Sequence, residues 1–166
     1  GLNMALAPRI NAAGRPCKTG VSLRLLATAD PEEARLLARE LCDLNHRRQE
    51  LELQVIEDAL ACLGSAKQDL PIVLESENWH PGVVGIAASR LTEEYHVPAI
   101  MICIEGGSGK GSCRSYGDFN LFEALSACAD CLESFGGHAF AAGLSIRPER
   151  VDEFRARLAD YYRAHL

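Results

Sequence analysis

The sequence has no apolar run approaching the roughly 18–20 residues that cross a bilayer, which argues against a membrane-spanning segment. Its opening, GLNMALAPRI, lacks a basic stretch followed by a long apolar one, so it does not read as a signal peptide. Nor does it read as a natural start. A chain that opens on Gly1, with its first methionine at Met4, suggests a piece cut from a longer protein. There is no excess of positive charge either. The formal net charge is -6, which argues against a non-specific nucleic-acid coat, because such a coat needs a basic surface. A small basic pocket is still compatible with that figure, since pockets depend on local charge.

A disulfide framework is also missing. The seven cysteines are odd in number and scattered, several of them inside apolar patterns where a thiol behaves as a small hydrophobe. A reducing cytoplasm is the expected setting. Cys128 and Cys131 form a CxxC, but no second CxxC or paired histidine completes a zinc set. The motif is also placed mid-helix by the surrounding pattern rather than after a strand, as a thioredoxin-like site would be. Core packing is the expectation, with a redox or zinc protein as the alternative. The P-loop spacing GxxxxGK[ST] is absent, since Lys110 is followed by Gly111. No two histidines are adjacent and no Asp-x-Asp occurs. A two-metal phosphodiesterase centre needs clustered Asp and His, and none can be assembled from this chain.

What is present is a chain of 166 residues, 48% hydrophobic and 24% charged, enough for one ordinary domain with an appendage. Asp30 is a good N-cap, Pro31 suits the first helical position, and Glu32 and Glu33 favour the positive end of the helix dipole. Leu37, Leu41, Leu44, Leu51, Val55 and Cys62 recur near a heptad, interrupted at Arg48, and Gly64 is a natural stop. This predicts one helix of roughly 50 Å at 1.5 Å per residue, joining two lobes or packing along one. A homodimeric coiled coil is the alternative. Beyond it the pattern predicts a strand at Pro71–Glu75, a helix at Gly82–His96 and a strand at Pro98–Glu105. A glycine-rich turn at Gly106–Gly111 then leads into a strand at Ser112–Tyr116. A helix at Phe119–Phe135, a break at Gly136-Gly137-His138, a strand at Gly143–Arg147 and a closing helix at Pro148–His165 follow. That helix carries Val151, Phe154, Leu158 and Tyr161 at helical spacing. The fold class is therefore α/β, a mixed sheet flanked by helices and preceded by a long connecting helix.

Four segments offer anion chemistry. Gly106-Gly-Ser-Gly-Lys-Gly-Ser-Cys-Arg-Ser115 combines backbone amides with Lys110 and Arg114, and equally suits a plain hairpin turn. Gly136, Gly137 and His138 expose amides beside an imidazole, and equally suit a helix C-cap. His80, in the Trp-His-Pro-Gly run from Trp79 to Gly82, opens a helix whose free N–H groups attract anions, although a structural role for this histidine weighs more. Arg9, Asn11 and Arg15, in PRINAAGR, suit phosphate contact or an unremarkable surface turn.

In their order, APRINAAGR, the long helix, ENWHPGVVGIAASRL, GKGSCRS and FGGHAFAAGLSI resemble one family over nearly the whole chain. It is the RecJ family, 5′-to-3′ single-strand-specific exonucleases within the DHH phosphoesterase superfamily. The resemblance implies that residues 1–29 are the tail of a catalytic domain, 30–69 the connecting helix and its linker, and 70–166 the DHH-associated C-terminal domain. It implies a parent enzyme of DNA repair and recombination that uses Mn²⁺ or Mg²⁺, with the metal ligands upstream and no metal held here. The implied partners are single-stranded DNA, through its 5′ phosphate end, and single-strand-binding protein. Ser112 and Arg114 would hold the 5′ phosphate, and Gly136, Gly137 and His138 the backbone near the scissile bond. Arg15, with Arg9 and Asn11, would line the interdomain groove. Cys113 departs from the Gly or Ala common at its position. The rival expectations are a phosphodiesterase for short oligonucleotides or cyclic dinucleotides in the same superfamily, and a non-catalytic nucleic-acid-binding module.

Overall fold

The computed structural model describes residues 7–11, 19–64 and 68–165. By its internal contacts the chain divides into two compact units, Gly1–Gln54 and Val55–Leu166.

The first unit holds a short helical stretch over residues 7–11, helix α1 (Thr19–Ala27) and most of helix α2 (Pro31–Leu63). Asp30 caps α2: its carboxylate accepts from the Glu32 amide at 2.9 Å and its carbonyl from the Ala34 amide at 2.9 Å. These bonds satisfy donors that the first turn leaves without partners. Leu41 and Leu44 pack with Val21 and Leu25 of α1. Arg48, which interrupts the apolar seam, pairs with Glu52 one turn on at 2.5 Å and donates to buried Asn45 at 3.3 Å. The helix stops where Gly64 takes φ 64. Cys62 is exposed rather than part of the apolar seam.

The second unit is built on a five-stranded sheet in the order β1 (Ile72–Ser76), β2 (Ala99–Glu105), β3 (Ser108–Arg114), β5 (Ala141–Ile146), β4 (Ser134–Gly137). β1 and β2 are parallel, joined through helix α3 (Pro81–Tyr95), and every other pairing is antiparallel. Side chains alternate across a pleated sheet, so the register assigns the faces. Ile100, Cys113 and Ala142 share one face, as do Ile102 and Leu144, and that face closes against helices α4 (Leu121–Ala127) and α5 (Val151–Ala164). Helix α3 packs on β2 and β3 from the opposite side. At the β1 edge Arg155 of α5 donates to the Val73 carbonyl at 3.1 Å. Burial raises the neighbouring Glu75 carboxyl above its ordinary value, while Arg155 pulls it down and Asp152 pushes it up. Among the described residues no helix is long and apolar enough to cross a membrane.

Three local expectations need correction. The glycine-rich segment is not a long turn. Only Gly106 and Gly107 turn, at φ 58 and 79, as a two-residue hairpin demands, and strand β3 starts at Ser108. The later glycines serve packing: a Cβ on Gly109 would lie 2.9 Å from Ile102 Cγ2, and one on Gly111 2.8 Å from Leu144 Cδ1. The helix expected over Phe119–Phe135 is only α4, followed by a 3-10 turn at Ala129–Cys131 and the unforeseen strand β4. Asn120 begins α4 by accepting from the Phe122 and Glu123 amides, and Cys128 caps its end. In α5 it is Tyr162, not Tyr161, that is buried.

Cys128 and Cys131 lie in the core beneath the sheet, 1% and 3% exposed. Burial pushes the Cys113 thiol up to about 12 and the Cys128 thiol up to about 11, so neither supplies thiolate at neutral pH. Of the cysteines described, only Cys62 should react quickly with a thiol reagent in the native protein. Cys103, Cys113, Cys128 and Cys131 should react only once denaturant unfolds the second unit, as mass spectrometry of the alkylated chain would show.

Candidate nucleic-acid interface

On the α3 face, strand β3 presents Lys110, Ser112 and Arg114, two residues apart and therefore about 7 Å from one to the next. Helix α3 approaches these residues closely because it carries small residues there. A Cβ on Gly85 would meet the Arg114 guanidinium at 3.0 Å and the Ser112 hydroxyl at 3.2 Å. One turn further on, the Ser89 hydroxyl donates to the Gly85 carbonyl at 3.1 Å and accepts from Arg114 Nε at 3.2 Å. A second bond, from Arg114 Nη1 to the Cys113 carbonyl at 2.8 Å, holds the fork in place. All these partners are neutral. Among the described residues no carboxylate pairs with Arg114 or Lys110, so a half-buried, immobilised guanidinium keeps its charge for an outside anion.

The register carries this surface across the sheet. Ser112 pairs with Gly143, which pairs with Gly136. Arg114 pairs with Ala141, whose carbonyl accepts from the His138 amide at 2.8 Å. Helix α3 contacts β2 and β3, while beyond them the face is floored by Ala141, Gly143 and Gly136. A Cβ on Gly136 would meet nothing within 4 Å, and one on Gly143 only the Gly111 carbonyl at 3.6 Å. The result is a shallow shelf of small residues. Ser112 and Arg114 stand on one side of it and the exposed Gly136, Gly137 and His138 on the other, two strand widths or about 10 Å away.

The structure thus gathers Lys110, Ser112, Arg114, Gly136, Gly137 and His138 on one sheet. His80 belongs to the same unit but acts as the N-cap of α3: its Nδ1 accepts from the Gly82 amide at 3.0 Å, which leaves Nε2 to carry the proton of the neutral ring. Gly137 is demanded by the backbone, with φ 143 and the Ala141 carbonyl and Ala142 Cα each 2.5 Å from where a Cβ would stand. Arg9, half-buried, and Asn11, exposed, lie in the first unit. Arg15 falls outside the described residues. Sequence reasoning missed Gly85 and Ser89. Their signal was present in the helix itself, as two small residues four apart and hence on one face. Among the described residues no three His, Cys, Asp or Glu side chains converge as a metal site.

Both the sequence and the fold have known relatives. The chain belongs to the DHHA1 domain family, whose model matches residues 69–164. Over almost its full length it is similar to one kind of member. It is 43% identical, across 156 residues, to the single-stranded-DNA-specific exonuclease RecJ of Bacillus subtilis, which covers 92% of this chain and 20% of that protein. The crystal structure of Thermus thermophilus RecJ in complex with Mg²⁺ superposes with a TM-score of 0.87 at 38% identity, over 96% of this chain and 25% of that one. The same enzyme in complex with Mn²⁺ gives 0.86 at 39%, over 96% and 24%. The chain therefore spans about a fifth to a quarter of the length of these relatives. The RecJ likeness read from the motifs is shown, and so is the α/β class.

The two glycines of the shelf should separate under mutation. Gly137→Ala forces a side chain into backbone and should cost about 2–4 kcal/mol, seen in urea denaturation. Gly136→Ala meets open space and should change stability by less than about 0.5 kcal/mol.

Proposed function

We propose that the chain is the substrate-binding part of a 5′-to-3′ single-stranded-DNA exonuclease acting in repair and recombination. The observation that carries this reading is Arg114, a guanidinium fixed by neutral partners beside Ser112 at the rim of a shelf. A strand terminus differs from an interior linkage by extra negative charge and unblocked phosphate oxygens. A planar fork recognises both features, because it donates two parallel hydrogen bonds to one phosphate, and the Ser112 hydroxyl adds a third donor. Lys110 extends the positive row along β3. Across the shelf Gly136, Gly137 and His138 would hold the next stretch of backbone.

Cleavage would use Mn²⁺ or Mg²⁺. Among the described residues no ligand set for either converges, no step of the chemistry is assigned to them, and by the family resemblance the metal-binding domain would lie upstream in the parent enzyme. Residues 1–29 would be the tail of that domain, 30–69 the connecting segment and 70–166 the substrate-binding domain. Arg9, Asn11 and Arg15 would contribute phosphate contacts from the first of these segments. Binding the terminal phosphate and the following backbone is positioning, which turns an encounter into an oriented attack.

Two measurements test the reading. The chain alone, incubated with 5′-phosphorylated single-stranded DNA and Mn²⁺, should release no mononucleotide. Metal-dependent release that survives purification would count against the assignment of the metal site elsewhere. In the full-length enzyme, Arg114→Ala should remove a charge-assisted contact of about 1.5–3 kcal/mol, roughly 10- to 150-fold, on 5′-phosphorylated substrate. Activity on 5′-hydroxyl substrate should change much less, and Arg114→Lys should recover only part of the loss. Equal losses on both substrates with an unchanged thermal melt would mean that Arg114 grips backbone and does not read the end.

A further inference from the structure

Among the described residues of the second unit the large hydrophobic side chains left exposed are Tyr116, Phe122 and Phe140, at 42%, 44% and 66%, and all three are aromatic. They fall on two segments that are tied together, one running from the end of β3 into the first turn of α4, the other the turn between β4 and β5. The Ser115 amide donates to the Phe140 carbonyl at 3.0 Å, and the Leu121 amide to the Ala139 carbonyl at 2.9 Å. With the His138 amide on the Ala141 carbonyl at 2.8 Å, the two-residue turn Ala139-Phe140 is closed and pinned. Its carbonyls are occupied, so the backbone that carries Phe140 is fixed.

Phe122 has Phe135 as a ring partner at 5.8 Å, and Tyr116 has His96 at 5.0 Å. Among the described residues Phe140 has none, although it is the most exposed of the three. Its neighbours select an occupant. Phe140 adjoins Ala141, which pairs with Arg114 in the sheet, and stands two residues past the exposed His138. An exposed apolar ring on the residue next to the strand partner of a guanidinium, that guanidinium having no carboxylate partner among the described residues, fits a ligand that is anionic and aromatic at once. An apolar peptide would leave that charge uncompensated. A nucleotide satisfies both, since every base offers a π-face and every linkage a phosphate.

We propose that Phe140 stacks a base of single-stranded nucleic acid whose terminal phosphate is held at Ser112 and Arg114. This rests on the phosphate-binding reading above and adds a sequence-independent contact with the base. Because the ring is two-thirds exposed, its replacement leaves the core untouched. Trp79 is the chain's one tryptophan and is 4% exposed, so the indole of a Phe140→Trp variant reports separately. A 5′-phosphorylated hexathymidylate should quench that indole, and the same oligomer made of abasic residues should not. Phe140→Ala should weaken binding of the thymidylate roughly 5- to 150-fold while leaving abasic binding unchanged. An unquenched indole while fluorescence anisotropy reports binding would overturn the proposal, as would no quenching at millimolar oligonucleotide. If 5′-phosphorylated and 5′-hydroxyl thymidylate bind alike to wild type and to Arg114→Ala while quenching persists, the phosphate reading fails and the stacking stands.

Discussion

Strand β3 runs through the middle of the sheet with almost no side chain on its core face. Gly109 and Gly111 leave a trough that Ile102, Ile146 and Leu144 fill from the neighbouring strands, and Cys113 is the one larger group that β3 adds to that core. The opposite face meets helix α3 through the small residues Gly85 and Ser89. It carries Lys110, Ser112 and Arg114, residues that a strand buried on both faces would not tolerate without partners. The polar row exists because the apolar burden of a central strand has been moved to its neighbours.

Arg114 is the second consequence of that arrangement. Half-burying a guanidinium is costly unless its donors are used, and the nearest helix supplies them without supplying an opposing charge. Gly85 lets the helix come close, Ser89 takes one N–H, and the carbonyl of Cys113 takes another. A carboxylate in the place of Ser89 would hold the side chain more firmly but would neutralise it. The choice of neutral acceptors keeps geometry and charge together.

The parts of the fold that were legible in the sequence are those fixed by local chemistry. Asp30 and Pro31 mark the start of the long helix, the Gly64 turn marks its end, and the run from Ala99 to Glu105 can be little other than a buried strand. The parts that were missed depend on distant partners. Nothing local marks Ser134-Phe-Gly-Gly137 as a strand. It has four residues, two of them glycine, and follows a pattern that continues the helix on paper. It is a strand because β5 runs antiparallel beside it, accepting at its two ends from the Glu133 and His138 amides through the Ser145 and Ala141 carbonyls. Gly109 and Gly111 likewise look like turn residues until Leu144 and Ile146 are seen to occupy their space. The candidate anion-binding segments stood out as motifs, yet from spacing each read at least as well as plain structure, and it was their joint order, through the family resemblance, that singled them out. That Ser112, Gly143 and Gly136 form one row is a property of register, which no single segment contains.

The sheet ends on two open edges, and each is closed differently to further strands. At β1 the Arg155 guanidinium occupies the Val73 carbonyl, the position where a foreign strand would dock. At β4 the run is only four residues long and ends in a glycine at φ 143, too short and too distorted to template a partner. Such a sheet resists polymerising through its borders, so neighbouring copies find no template on which to extend it.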